Sequence, residues 1–115
     1  MLLDGSGLFN FVIANGSGYF LYCNNTDSFS VTGTPLSQVS SSITAGWNLY
    51  GWIDMTSNST AQAVLDSIGD NATMMSRWTG SAFQTHLDGS GLFNFDVQAG
   101  EGYFIYAAGT GTWTR

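Results

Sequence analysis

The nonapeptide Leu3-Asp4-Gly5-Ser6-Gly7-Leu8-Phe9-Asn10-Phe11 returns unchanged as Leu87-Asp88-Gly89-Ser90-Gly91-Leu92-Phe93-Asn94-Phe95, an offset of 84 residues. At the same offset Gly16-Ser17-Gly18-Tyr19-Phe20-Leu21-Tyr22 is answered by Gly100-Glu101-Gly102-Tyr103-Phe104-Ile105-Tyr106, Thr26 by Thr110 and Phe29 by Trp113. In a chain of 115 residues this period leaves one full unit and an overlap, so the sequence reads arm, middle, arm: arms 1–31 and 85–115 around a unique middle 32–84. Repeat units bury their faces against neighbours rather than alone. An arm present twice around one middle therefore raises the question of its partner.

The length suits a single domain, residues 1–115, that buries roughly two thirds of the surface its unfolded form exposes. Charged residues are 9% of the chain, and the basic ones are Arg77 and Arg115 with no lysine. A protein that displaces counterions from phosphates needs several such side chains, and a formal charge of −6 repels polyanions and anionic membrane surfaces alike. Nucleic acid is excluded as a partner on these grounds. Hydrophobic residues at 43% and aromatics at 15% supply a core, unlike disordered chains. The remainder, rich in Gly, Ser, Thr and Asn, is the composition of a turn-rich β protein. Cys23 stands alone, so an internal disulfide framework and a zinc site are excluded. No apolar run approaches the roughly 20 residues of a membrane helix. Met1-Leu2-Leu3 leads at once into Asp4-Gly5, which is no secretory leader; the chain reads as a piece of an exported, extracellular or cell-surface parent.

Leu8–Ile13, rich in aromatic and β-branched residues, reads as a strand. Asn15-Gly16-Ser17-Gly18 turns it into Tyr19–Cys23, apolar on both faces and so expected to be central. Ser28–Thr32 alternates as a half-exposed strand does. Gly33-Thr34-Pro35 breaks the ladder, Gln38–Ile43 is a weaker strand and Trp47–Ile53 a strong one. A helix is predicted over Thr60–Ile68, with Ala61, Val64, Leu65 and Ile68 on one face, Ser57-Asn58-Ser59 offering N-caps and Gly69 a stop. Thr73–Trp78 and Ala82–Leu87 form a hairpin around Thr79-Gly80. The expected fold, with about nine or ten short strands, is mainly β: a small antiparallel sandwich or barrel with one short helix over residues 60–68.

Catalytic and metal chemistry find little support in the sequence. His86, the single histidine, lies two residues from Asp88, but nothing at characteristic spacing supplies a third ligand or a nucleophile; it reads as an ordinary surface or strand-end residue. Asp-Gly-Ser-Gly at Asp4 and Asp88 resembles the start of a calcium loop yet lacks its alternating ligands and closing glutamate, so a turn in which Asp bonds its own backbone is expected. The Gly-rich stretches precede strands rather than helices, which excludes phosphate loops. Asp66 and Asp70 oppose the helix dipole. The expectation is a non-catalytic chain without metal or cofactor. Cys23 aligns with Ala107 and so should be small and buried. Asn15, Asn24, Asn58 and Asn71 head glycosylation triplets. Aromatics with neutral hydroxyls could stack on sugars, although small β domains more often use their tryptophans as core; Trp52 and Trp113, near strand ends, are the best candidates for exposure and for binding neutral glycans.

Gly46-Trp47-Asn48-Leu49-Tyr50-Gly51-Trp52, the helix, Arg77-Trp78, Gly100–Tyr106 and the threonine-rich end over Thr110–Thr114, together with Val31-Thr32-Gly33-Thr34-Pro35, resemble a tandem β-module of archaeal and bacterial surface proteins, S-layer-like or adhesin repeats of GWNL…GxGYFxY type. Residues 46–115 cover most of one such module, and the first arm the closing half of another. The resemblance implies a secreted or wall-associated structural or adhesive part with no catalytic residue. Because either arm completes the middle, a surplus arm is expected to pair with a second copy, as a dimer or a fibre; the alternative is a monomer with both arms flanking the middle.

Overall fold

The structure is a computed structural model that describes residues 1–2, 4–5, 7, 10–54, 58–69 and 71–115. Among them are eight β-strands and one α-helix: β1 (Ser40–Ile43), β2 (Gly46–Gly51), β3 (Ser59–Thr60), α1 (Ala61–Ile68), β4 (Ala72–Trp78), β5 (Phe83–Leu87), β6 (Asp96–Val97), β7 (Gly102–Ala107) and β8 (Gly111–Thr114). Three antiparallel sheets result: four strands in the order β2-β7-β4-β5, and the pairs β1-β8 and β3-β6. The mainly β, single-helix architecture expected from the sequence is present.

The middle forms its elements for local reasons. Thr60, rather than the predicted Asn58 or Ser59, caps α1, its hydroxyl accepting from the Ala63 N–H at 3.3 Å; Ser57 lies outside the described residues. Gly69 ends the helix at φ +96° and donates to the Leu65 carbonyl. The β4–β5 hairpin turns at Thr79–Ala82, closed by the Thr79 N–H on the Ala82 carbonyl. Asn48 pins the corner between β1 and β2, accepting from the Thr44 N–H at 3.0 Å and donating to the carbonyls of Thr44 and Ile105. That is the physical use of the asparagine in Gly-Trp-Asn-Leu.

The second arm supplies the centre of the molecule. β7 lies between β2 and β4, with Leu49 and Ser76 both opposite Phe104. Alternation sends Tyr103, Ile105 and Ala107 to one face, where they meet Tyr50, Met75 and the helix residues Ala61, Val64 and Leu65. β8 then brings Trp113 onto the same core. Full burial of side chains of this size contributes about 1.5–3 kcal/mol each.

The first arm does not repeat this arrangement, which corrects the three strands predicted there. From Asn10 to Gln38 the chain pairs through one bridge, Ser17 with Tyr50, while Leu8 and Phe9 lie outside the described residues. At the outer edge of β2 the first arm makes only this bridge and the flanking Gly16–Gly51 and Gly18–Leu49 hydrogen bonds. The central slot between β2 and β4, which residues 102–107 take in the second arm, is held by β7. In consequence Cys23, expected to be buried, is exposed.

Candidate functional site

The repeated nonapeptide wraps the start of the helix. Gln62 is the hub: its amide nitrogen donates to Asp66 at 2.8 Å and to Asp88 at 2.6 Å, and its oxygen accepts from the Gly89 N–H at 2.8 Å. The helix N–H groups of Ala61 and Gln62, which no intrahelical carbonyl satisfies, donate to the Phe95 carbonyl and to Asn94 Oδ1, both at 2.9 Å. His86 sits beneath, fully buried, its Nδ1 donating to the Leu92 carbonyl at 2.8 Å and its Nε2 facing Gln62 Oε1 at 2.8 Å. The surface or strand-end position expected for His86 is thus corrected to a bonded core position. Asp88 uses its carboxylate on Gln62 rather than on its own backbone as expected. No grouping of three metal-ligating side chains occurs among the described residues; Asp70 is not among them.

A second site joins the first arm to the core. The Gly51 N–H donates to the Gly16 carbonyl at 2.8 Å, and the Gly18 N–H reaches the Leu49 carbonyl at 3.4 Å. Arg115 clamps the same turn. Its guanidinium donates to the carbonyls of Gly16 at 2.6 Å and Gly51 at 3.1 Å and to Ser41 Oγ at 2.9 Å, while lying over the rings of Trp113 and Tyr50. Burial lowers its pKa, partly opposed by Tyr50. The turn is crowded: a Cβ on Gly16 would stand 2.8 Å from the Arg115 guanidinium, one on Gly18 2.8 Å from Leu49 Cδ1, and one on Gly51 3.0 Å from the Ser17 carbonyl oxygen.

The third feature is the face of the four-stranded sheet turned away from the helix. The registers place Trp47, Leu49, Phe104, Tyr106, Trp78 and Phe83 on it. Trp47 is 51% and Trp78 46% exposed. With Phe83, Phe104, Ser76 and Thr85, Trp47 borders a hollow of about 420 Å³, where the hydroxyls of Ser76 and Thr85 are 2.6 Å apart. Phe20 of the first arm covers part of the face, its ring centroid 5.5 Å from that of Phe104 and 6.3 Å from those of Trp78 and Phe83.

Trp52 and Trp113, the best candidates for exposure by their strand-end positions, are turned inward instead. Trp113 is 3% exposed, because β8 turns it onto the helix, where its indole N–H donates to Ser67 Oγ at 3.1 Å. Trp52 is half-buried and stacks on it at 6.3 Å; both border a hollow of about 240 Å³ with Asp54 and Arg115. Sequence reasoning missed Gln62, Arg115 and the outer face. The signals were the loss of Val31 to Arg115 between the arms and the apolar residues on both faces of Tyr103–Tyr106. The four asparagines of the glycosylation triplets are exposed. No helix among the described residues is long and apolar enough to cross a membrane. No protein family, curated protein or solved structure matches the chain.

Proposed function

We propose that the chain is a non-catalytic structural or adhesive β-module of a cell-surface protein, of the tandem GWNL…GxGYFxY type, that associates with further copies through its surplus arm. One observation carries this reading: two copies of one closing hairpin share a chain with one slot. The second copy fills the slot, and the first is held by its turn, leaving Leu21 and Tyr22 largely exposed. Strand addition to a sheet of the same kind is the chemistry such an arm supports. Light scattering behind a sizing column tests it: the mass should rise above 12.3 kDa with concentration, and a constant monomer mass overturns the self-association.

The outer face supports a second reading, a carbohydrate-binding module. Trp47, Trp78 and Phe83 offer exposed ring faces, and the paired hydroxyls of Ser76 and Thr85 are neutral hydrogen-bonding groups at the hollow beside them. Here the platform is this face rather than Trp52 and Trp113. Titration with neutral polysaccharides should quench tryptophan emission in the native chain and not in Trp47→Ala; a flat titration removes the reading.

A further inference from the structure

The two arms carry the same inner face. In the second arm the buried positions are Phe95, Val97, Tyr103, Ile105, Ala107 and Trp113; at the matching positions of the first stand Phe11, Ile13, Tyr19, Leu21, Cys23 and Phe29. Each is apolar or small and close in volume. The outward strand positions Phe104 and Tyr106 are answered by the identical Phe20 and Tyr22, while Val12 for Asp96, Ser17 for Glu101 and Asn24 for Ala108 differ. The first arm thus carries apolar side chains on both faces of Tyr19–Cys23, as a strand between two neighbours requires.

The first arm is also folded locally for that place. Phe11 stacks on Tyr19 at 5.5 Å and 9°, as Phe95 does on Tyr103 at 6.0 Å and 10°. The Ala14 N–H donates to the Tyr19 hydroxyl at 2.9 Å, as the Gln98 N–H does to that of Tyr103 at 2.8 Å. Both turns carry a left-handed glycine, Gly16 at φ +76° and Gly100 at φ +86°. The contacts that Gln62 makes with Asp88, Gly89 and Asn94 have identical residues waiting in Asp4, Gly5 and Asn10.

The connection back to the core is short enough. Val39 and Arg115 exchange both backbone hydrogen bonds, at 2.7 and 2.9 Å. Val31 is the counterpart of Arg115, so the first arm in the slot would set Val31 opposite Val39, joined by the seven residues Thr32–Gln38 with Gly33 and Pro35 to turn the chain.

We infer that residues 10–31 are a second ligand for the slot between β2 and β4, able to replace β7 and β8 within the same chain. This rests on the arm-exchange reading above and gives it a donor segment and an acceptor slot. Two packings of one sequence are then in competition.

Cys23 reports which arm is in place, since it is exposed when the arm is free and takes the fully buried position of Ala107 when the arm is inserted. In the full chain Ile105→Asp puts a charge at a position without solvent and expels β7. The variant should keep a cooperative thermal transition and a monomer mass, and maleimide labelling of Cys23 should slow about tenfold or more relative to the native chain. Adding Leu21→Asp should abolish both transition and protection. Fast labelling in Ile105→Asp, folded or not, overturns the inference; so does protection that appears with a doubled mass. A milder variant, Leu21→Ile with Phe29→Trp, gives the first arm two of the second arm's own side chains and leaves β7 intact; it too should slow Cys23 labelling, and an unchanged rate counts against the slot. These results leave the native chain's self-association to be decided by its own mass.

Discussion

Leu21 and Ile105 stand at the same place in two nearly identical hairpins, yet Leu21 is 72% exposed and Ile105 has no exposed surface. Phe29 and Trp113 differ in the same way, at 79% and 3%. What both arms share is local: the glycine turn, the stacked rings and the hydrogen bond to the tyrosine hydroxyl span at most about a dozen residues. What separates them is supplied from outside the hairpin. Two ladders, from β2 and β4, make a strand of residues 102–107, and the helix above makes one face of it a core. Sequence at this length sets the shape of a turn, and the neighbours decide whether the adjoining segment becomes a strand.

The difference between the arms should therefore appear whenever matched residues are changed. The largest contrast is Trp113→Ala against Phe29→Ala: the first should cost about 3–5 kcal/mol in denaturant unfolding, the second no more than about 0.5 kcal/mol. Equal losses would break the comparison. Gln62→Leu sharpens it by removing the hub that reads the second copy of the motif. It leaves the Gly89 N–H without its acceptor and the buried His86 ring without its Gln62 neighbour, for about 1–3 kcal/mol, whereas Asp4→Ala in the first copy should leave stability within about 0.5 kcal/mol.

Alkaline unfolding separates the two tyrosines next. Burial above all, and then its hydrogen bond to Glu101, raise the pKa of Tyr103 beyond the usual tyrosine range; burial raises that of Tyr50 as well, against the lowering by Arg115. The unfolded chain releases these protons near pH 10 while the folded chain keeps them. Stability is then complete below about pH 10 and falls as pH rises past it, by up to about 1.4 kcal/mol per pH unit for each such group. Tyr103→Phe should flatten that slope. A slope unaltered in Tyr103→Phe would contradict the assignment. The smallest effect is at the clamp: Arg115→Met should change global stability by about 1 kcal/mol or less yet deprotect the Gly51 amide, which bonds the Gly16 carbonyl, in hydrogen exchange.

Much of the middle and second arm is legible in the sequence, because its signals are local. Periodicity of Ala61, Val64, Leu65 and Ile68 marks α1, Gly69 its end, and Thr79-Gly80 the hairpin. The misreadings share one cause. Apolar residues on both faces of Tyr19–Cys23 mark a segment fit for a central strand and say nothing of whether that place is already taken, so the first arm reads as strands and Cys23, by its match to Ala107, as buried. Nearness to a strand end makes Trp52 and Trp113 look exposed, whereas the pairing of Trp113 opposite Ser41 turns its ring inward. Trp47, second in β2, and Trp78, last in β4, also stand near strand ends and are the more exposed pair, since the outer face has no helix across it. His86 shows the same limit: its partners, Leu92 and Gln62, come from a loop and from a helix 24 residues away.

Amide hydrogen exchange on the native chain compares the arms in a single molecule, with residues 18–23 and 102–107 as matched segments. The account predicts that the amides of 103–107 that donate into the β2 and β4 ladders exchange at rates near those of global unfolding, while those of 19–23 exchange as open chain does. Equal protection of the two segments would contradict the claim that the slot, rather than the sequence of the hairpin, makes the strand.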